Sequence, residues 1–147
     1  MKKTKSILFL CTGSSCRSQM AEGFARAMFS MEWKIYSAGT RPTGLHPLTI
    51  EAMAESGIDI SKQHSKSIDE IPVDEIDYVV TLCGDVNENC PLFPKKVERE
   101  HWPIIDPVRD VGKPNVMDSF RRARDDIKNR VEELVKRLNG IASQRSQ

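Results

Sequence analysis

Three observations predict an α/β fold, a three-layer sandwich built on a four-stranded parallel sheet. Short apolar runs alternate with stretches of helical periodicity along the 147 residues, the pattern of a sheet covered on both faces. Three residues of reactive type, Cys11, Cys83 and Asp106, each follow a different run, and open parallel sheets bind ligands at the carboxyl ends of their strands. The length suits one domain that buries roughly 68–70% of its unfolded surface, a core that needs no metal or disulfide staple.

Ser6–Leu10 is a short apolar run suited to a buried strand, and Gly13 ends it. From Cys16 a helical pattern begins, with Met20, Phe24 and Met28 at steps of four and Ala21 and Ala25 beside them. Met31–Ser37 reads as a second strand, closed by Ala38 and Gly39. Pro47 stands where a helix can start, Leu48, Ala52 and Met53 give it an apolar face, and Gly57 can stop it. Asp77–Cys83 is the clearest strand of the sequence, and a short one is expected at His101–Ile105, before Asp106 and Pro107. The last helix carries Val116, Phe120, Ala123, Ile127, Val131, Leu134 and Leu138 on one face and charge on the other, with Gly140 to cap it. Right-handed crossovers then make a flavodoxin-like topology the economical one. The domain is expected to span 1–141, with 142–147 a flexible tail.

Twenty-two Lys and Arg against twenty-one Asp and Glu give a net charge of +1, so no strong field attracts nucleic acid or an anionic membrane. Any anion specificity must come from a local site. No stretch approaches the roughly 20 apolar residues of a membrane helix. The apolar run behind Lys2, Lys3 and Lys5 is too short for an export signal, so a cytoplasmic protein is expected, and near-neutral charge on one small domain makes a monomer the default. In a reducing compartment the four cysteines read as catalytic or metal-binding before they read as disulfides. Cys11-x4-Cys16 and Cys83-x6-Cys90 lack the tight pairs of structural zinc sites, so no metal is expected.

Thr12, Gly13, Ser14, Ser15 and Cys16 form a run of small residues between a strand end and a helix start. Such a loop offers unpaired backbone N–H groups at the positive end of the helix dipole, a seat for a tetrahedral oxyanion. Arg17, six residues after Cys11, can add a planar fork to two anion oxygens. Helix start and guanidinium together favour the thiolate form of Cys11, and Ser18 can donate a hydrogen bond to it. By residue type alone, an inert strand-end cysteine beside a surface arginine fits as well. Cys16 reads as a small packing residue, and the three histidines and two tryptophans as structural.

Cys11 to Ser18, followed by Gln19-Met20-Ala21-Glu22-Gly23, resembles the phosphate-binding loop and first helix of the low-molecular-weight protein tyrosine phosphatases. The likeness is closer to their thioredoxin-coupled arsenate-reductase branch. It extends through Tyr36-Ser37-Ala38-Gly39, Gly57-Ile58-Asp59-Ile60-Ser61, Val79-Val80-Thr81-Leu82-Cys83, Asn89-Cys90-Pro91, Glu100-His101-Trp102 and Asp106-Pro107. The resemblance implies the low-molecular-weight phosphatase fold. It also implies an enzyme that reduces arsenate to arsenite for arsenic detoxification, with phosphate or sulfate as substrate mimics. It implies no bound cofactor, electrons from thioredoxin, and weak residual phosphatase activity. A phosphatase of phosphoesters is the alternative, because Cys11, Arg17 and a general acid at Asp106 suffice for it.

Spacing alone leaves Cys83 and Cys90 equally readable as structural cysteines. The resemblance makes them the second and third redox cysteines after Cys11, which are the two-electron source that arsenate reduction needs. Seven helical steps span roughly 10.5 Å and seven extended steps roughly 23 Å, whereas a disulfide needs Cα atoms about 4.4–6.8 Å apart. The segment Gly84–Asn89 is therefore expected to be mobile and to buckle on oxidation. Asp106 also reads as a turn cap before proline, with Asp110 a nearby competitor as general acid. One departure stands out: Ser14 replaces the Asn usual in the family, which predicts a looser cradle. Members that bind a monovalent cation carry Thr and Asp where His64 and Lys66 stand. The departure implies that Lys66 or His64 supplies that positive charge.

Overall fold

Lys5–Cys11 (β1) is the strand that organises the sheet: Ile7, Leu8, Phe9 and Leu10 are all fully buried, as a central parallel strand requires. These coordinates are a computed structural model that describes residues 5–14, 16–82 and 97–138. Trp33–Gly39 (β2) runs parallel to β1 on one side, with Cys11 opposite Gly39. Tyr78–Thr81 (β3) runs parallel to it on the other side, and Glu98–His101 (β4) pairs with β3. The order is β2-β1-β3-β4, the expected four-stranded parallel sheet.

Alternation along β1 divides the core. Ile7 and Phe9 join a large cluster with Met20, Phe24, Met53, Phe120, Ile127 and Val131. Those side chains come from three helices, Arg17–Met28 (α1), Pro47–Glu55 (α2) and Val116–Arg137 (α3). Leu8 and Leu10 face the opposite way, into a smaller cluster with Ala38, Ile71, Ile76 and Val79. Among the described residues this second face is closed by two 3-10 turns, Ile68–Glu70 and Val73–Glu75, rather than by an α-helix.

The helices follow their sequence signals. Pro47 opens α2, with His46 Nδ1 accepting the Leu48 N–H at 3.1 Å, and Gly57 follows it at φ +80°, a left-handed turn that glycine adopts at low cost. In α3, Phe120, Ala123, Ile127, Val131 and Leu134 are buried, as their spacing predicts. The limits of β1, β2 and β3 shift by one or two residues, and the fourth strand moves altogether. β2 starts two residues later than expected, because Ser30 and Trp33 close a turn that leaves Met31 wholly exposed. The fourth strand is Glu98–His101, not His101–Ile105. It is an edge strand with Glu98, Arg99 and His101 exposed, so apolarity does not mark it. Pro103, which lacks an N–H, lies where the expected strand would run.

Glu100 ties this edge to the last helix. Its carboxylate accepts from Tyr78 Oη (2.7 Å), Trp102 Nε1 (2.6 Å) and Arg137 Nη2 (2.9 Å). Burial alone would raise the Glu100 pKa, but these hydrogen bonds outweigh it and hold the group below its usual value. A lowered carboxyl stabilises the fold above its unfolded value, roughly 4.3, and that support is lost as pH falls through the folded value. Glu100→Gln is expected to cost roughly 1–2 kcal/mol at neutral pH and to shrink the acid-side drop in stability. Thermal melts at neutral and acid pH check both.

Candidate active site

β1 ends at Cys11, and the chain turns through Thr12, Gly13 and Ser14 before α1 begins at Arg17. The carbonyls of this turn are held from outside. Thr12 O accepts from the Arg41 N–H at 2.8 Å, and Gly13 O from the Thr43 N–H at 2.9 Å and the Ser65 hydroxyl at 3.2 Å. A trans peptide points its C=O and its N–H in opposite directions. Outward carbonyls on Thr12 and Gly13 therefore turn the N–H groups of Gly13 and Ser14 inward. With the N–H groups at the start of α1, they form an anion cradle.

Ser14 is fully buried with φ +50°, a left-handed conformation that costs a non-glycine residue about 1–3 kcal/mol. Side chains compensate. Gln19 Nε2 donates to Ser14 O (2.9 Å) and Ser14 Oγ (3.2 Å), and the Lys66 N–H donates to the same Oγ at 3.3 Å. The looser cradle expected from serine at this position is thus not what these contacts give. The hydroxyl is itself a node of the brace.

Cys11 is 2% exposed, and its Sγ lies 3.1 Å from Ser18 Oγ in a hydrogen bond. A thiolate can only accept, so Ser18 is placed to donate to it. Arg17 is 1% exposed, and its Nη1 donates to the carbonyls of Leu82 (2.8 Å) and Ile104 (2.9 Å) at the ends of two neighbouring strands. Its Nη2 lies 3.5 Å from Asp106 Oδ2. Asp106 is the turn cap that one reading of it expected, and it also reaches the arginine. Its Oδ1 caps the 3-10 turn Pro107–Asp110 by accepting the Val108 N–H, while Oδ2 faces Arg17 from a partly exposed position. Asp110 is engaged elsewhere: hydrogen bonds from Ser119 Oγ (2.6 Å) and Lys113 Nζ (3.1 Å) hold its carboxyl below the usual range.

Cys16 packs its Sγ 3.9 Å from Met20 Sδ, and burial pushes its thiol pKa far up despite a hydrogen bond with Thr49. It is the packing residue expected, and only its backbone can serve the cradle. Of the two departures from the family's cation site, Lys66 faces the Glu22 carboxylate, with Nζ 3.8 Å away, whereas His64 contributes its backbone carbonyl. Ser15, Cys83 and Cys90 lie outside the described residues, as do the segment 84–89, Gly140 and the tail. Among the described residues, no group of three His, Cys, Asp or Glu side chains could hold a metal, and no helix is long and apolar enough to cross a membrane.

Residue-type reasoning overlooked two contributors. Gln19 is a fully buried polar side chain on the first turn of α1, and its amide stitches Ser14 to His64 O at 3.0 Å. Gly39 lies against the cradle so closely that a Cβ there would stand 2.5 Å from Thr12 O and 2.7 Å from Ser14 N. The available signals were a glutamine on a helix face that should be apolar, and a glycine ending the strand beside the loop.

Known proteins resemble this chain along most of its length. An arsenate reductase from Bacillus subtilis (strain 168) is 50% identical over 134 residues, covering 90% of this chain and 96% of that protein. A solved arsenate reductase in the phosphate binding state superposes with a TM-score of 0.78 at 36% identity, covering 91% of this chain and 98% of that one. A thioredoxin-dependent arsenate reductase from Corynebacterium glutamicum gives 0.69 at 28% identity, covering 92% of this chain and 62% of its own. The low molecular weight phosphotyrosine protein phosphatase model matches residues 6–144. With that match running across the sheet, the cradle and the last helix, the chain belongs to the low molecular weight phosphotyrosine protein phosphatase family.

Proposed function

We propose that this chain is a cytoplasmic arsenate reductase that serves arsenic detoxification through a three-cysteine relay recharged by thioredoxin. One observation carries the reading. Cys11, Arg17 and Asp106 converge on the cradle, in a chain that also carries Cys83 and Cys90 and is half identical to an arsenate reductase. A phosphatase needs the convergence but not the further pair.

Arsenate binds on the inward N–H groups of the cradle, and the Cys11 thiolate attacks arsenic. Asp106, protonated, gives its proton to the departing oxygen, which leaves as water. Cys83 thiolate then attacks Cys11 Sγ. The arsenic–sulfur bond breaks with its electron pair on arsenic, arsenite departs, and a Cys11–Cys83 disulfide forms. Cys90 thiolate attacks Cys83, releasing Cys11 as thiolate and leaving a Cys83–Cys90 disulfide for the thioredoxin dithiol to reduce. Leu82, which precedes Cys83, is bonded through its carbonyl to Arg17, and this supports delivery of the second cysteine to the arginine side of the cradle. The active unit in this reading is a monomer with residues 1–141 as its domain and no resident cofactor. Slow hydrolysis of phosphoesters accompanies it, because phosphate shares the shape and charge of arsenate.

The test is arsenate-dependent oxidation of NADPH through thioredoxin reductase and thioredoxin. Steady consumption is expected with arsenate and none without it; hydrolysis of an aryl phosphate with no consumption on arsenate would instead make the chain a phosphatase. Asp106→Asn keeps the cap to Val108 but cannot donate a carboxyl proton. It is expected to lower kcat roughly 10²-fold in the same assay, while phosphate binding stays near that of the parent protein.

A further inference from the structure

Beneath the cradle lies a charged cluster that the relay does not use. Glu22, on α1, is 4% exposed. Its Oε2 accepts from Arg26 Nε at 2.7 Å and its Oε1 from Ser37 Oγ of β2, with Lys66 Nζ 3.8 Å from that same Oε1. Arg26 is more than half exposed, whereas the Lys66 side chain is only 16% exposed. The lysine is thus the partner drawn into the interior. A buried carboxylate needs compensating charge and hydrogen bonds, and one ammonium supplies part of both.

The position of Lys66 in the chain gives the contact its consequence. Its Nζ also donates to His64 O at 3.1 Å, closing the loop 64–66 on itself. Its N–H reaches Ser14 Oγ, its carbonyl accepts from the Gly39 N–H at 2.8 Å, and neighbouring Ser65 holds Gly13 O. Among the described residues, the hydrogen bonds and the ion pair of this loop thus end on α1, on the end of β2 or on the two cradle residues whose N–H groups face inward.

We propose that Lys66 is a positioning residue of the oxyanion site: its ammonium, held between the Glu22 carboxylate and the His64 carbonyl, clamps loop 64–66 against Gly13 and Ser14. The clamp keeps Ser14 in its left-handed conformation with its N–H turned toward the anion. Without the ammonium, Glu22 loses its interior cation, the loop relaxes outward and the two donors lose their aim. The proposal deepens the reductase reading and rests on it for the identity of the natural anion, but not for the geometry.

The experiment reads the cradle without turnover. Iodoacetamide alkylates Cys11, and inorganic phosphate in the cradle protects it, so the phosphate concentration giving half protection measures the site. Lys66→Met, neutral and close in length, is expected to weaken protection about tenfold, and Lys66→Arg to restore most of it. Exposed Lys128→Met serves as the charge control and is expected to leave protection unchanged. In the arsenate assay, Lys66→Met is expected to raise KM more than it lowers kcat. Circular dichroism checks that each variant is folded, and if Lys66→Met is not, Lys66→Gln takes its place with the same expected result. Parent-like protection in a folded neutral variant overturns the proposal. So does equal weakening in Lys66→Met and Lys66→Arg, which would show a packing role rather than a charge. A parent protein that binds phosphate but never reduces arsenate would sink the reductase reading and leave this test of Lys66 standing.

Discussion

Cys11→Ser is expected to abolish arsenate reduction, with the rate falling on the order of 10⁴-fold or more, as when other enzymes lose their nucleophile. The exchange of sulfur for oxygen is small in volume, and the hydrogen bond to Ser18 can persist, so the fold and the cradle should survive. The loss is chemical. A serine hydroxyl is not ionised at neutral pH and cannot form the disulfide that carries the electrons. Cys90→Ser should fail differently: Cys11 and Cys83 remain, so one arsenite forms per chain and the cycle stops at their disulfide. Steady-state turnover of the parent and both variants, with arsenite counted in the first turnover, distinguishes the two failures. Sustained reduction by either variant contradicts the relay.

Gly39→Ala is the second large effect, and it arises from sterics alone. Gly39 has no left-handed backbone angle, so alanine can adopt its conformation. The added methyl, however, would stand 2.5 Å from Thr12 O and 2.7 Å from Ser14 N. Both atoms are cradle backbone, and neither can swing aside as a flexible side chain does. The loop must shift, and several anion donors shift with it. Losing one oxyanion donor costs on the order of 10²–10³-fold, and an ångström of misplacement about 10²-fold. A fall in kcat/KM on the order of 10³-fold is therefore expected, with a stability loss of only about 1–3 kcal/mol. Gly23→Ala is the control. Its methyl would meet the side-chain atoms Ile60 Cγ2 and Met53 Cε at 2.8 and 2.9 Å, in the buried packing against α1. It should cost stability and spare the cradle; equal losses of activity from both variants would sink the argument for Gly39.

The sequence marks most strongly those elements whose stability is their own. β1 is central and buried on both faces, and the apolar stripe of α3 is read directly from its spacing. β4 is an edge strand that draws its register from β3, so its charged residues carry no apolar signature. The same division runs through the site. Cys11, Arg17 and Ser18 share one short stretch between a strand end and a helix start, and the family resemblance singles it out. The carbonyls of Leu82 and Ile104 that seat Arg17, and the Lys66 backbone that braces Ser14, arrive from distant segments as main chain, which any residue type provides. Asp106 was legible as a residue but ambiguous as a role, because one carboxyl group both caps a turn and faces the arginine. The pair Cys83 and Cys90 was read through resemblance and not through geometry, and both lie outside the described residues.

The most direct measurement of the relay is a thiol and arsenite count in a single turnover. The fully reduced protein, freed of reductant, is mixed with excess arsenate and then alkylated and mapped by peptide mass. The expected result is one arsenite per chain, two of the four thiols lost, and a disulfide joining Cys83 to Cys90 with Cys11 free. Four intact thiols and no arsenite, or a disulfide that leaves out residues 83 and 90, would contradict the account.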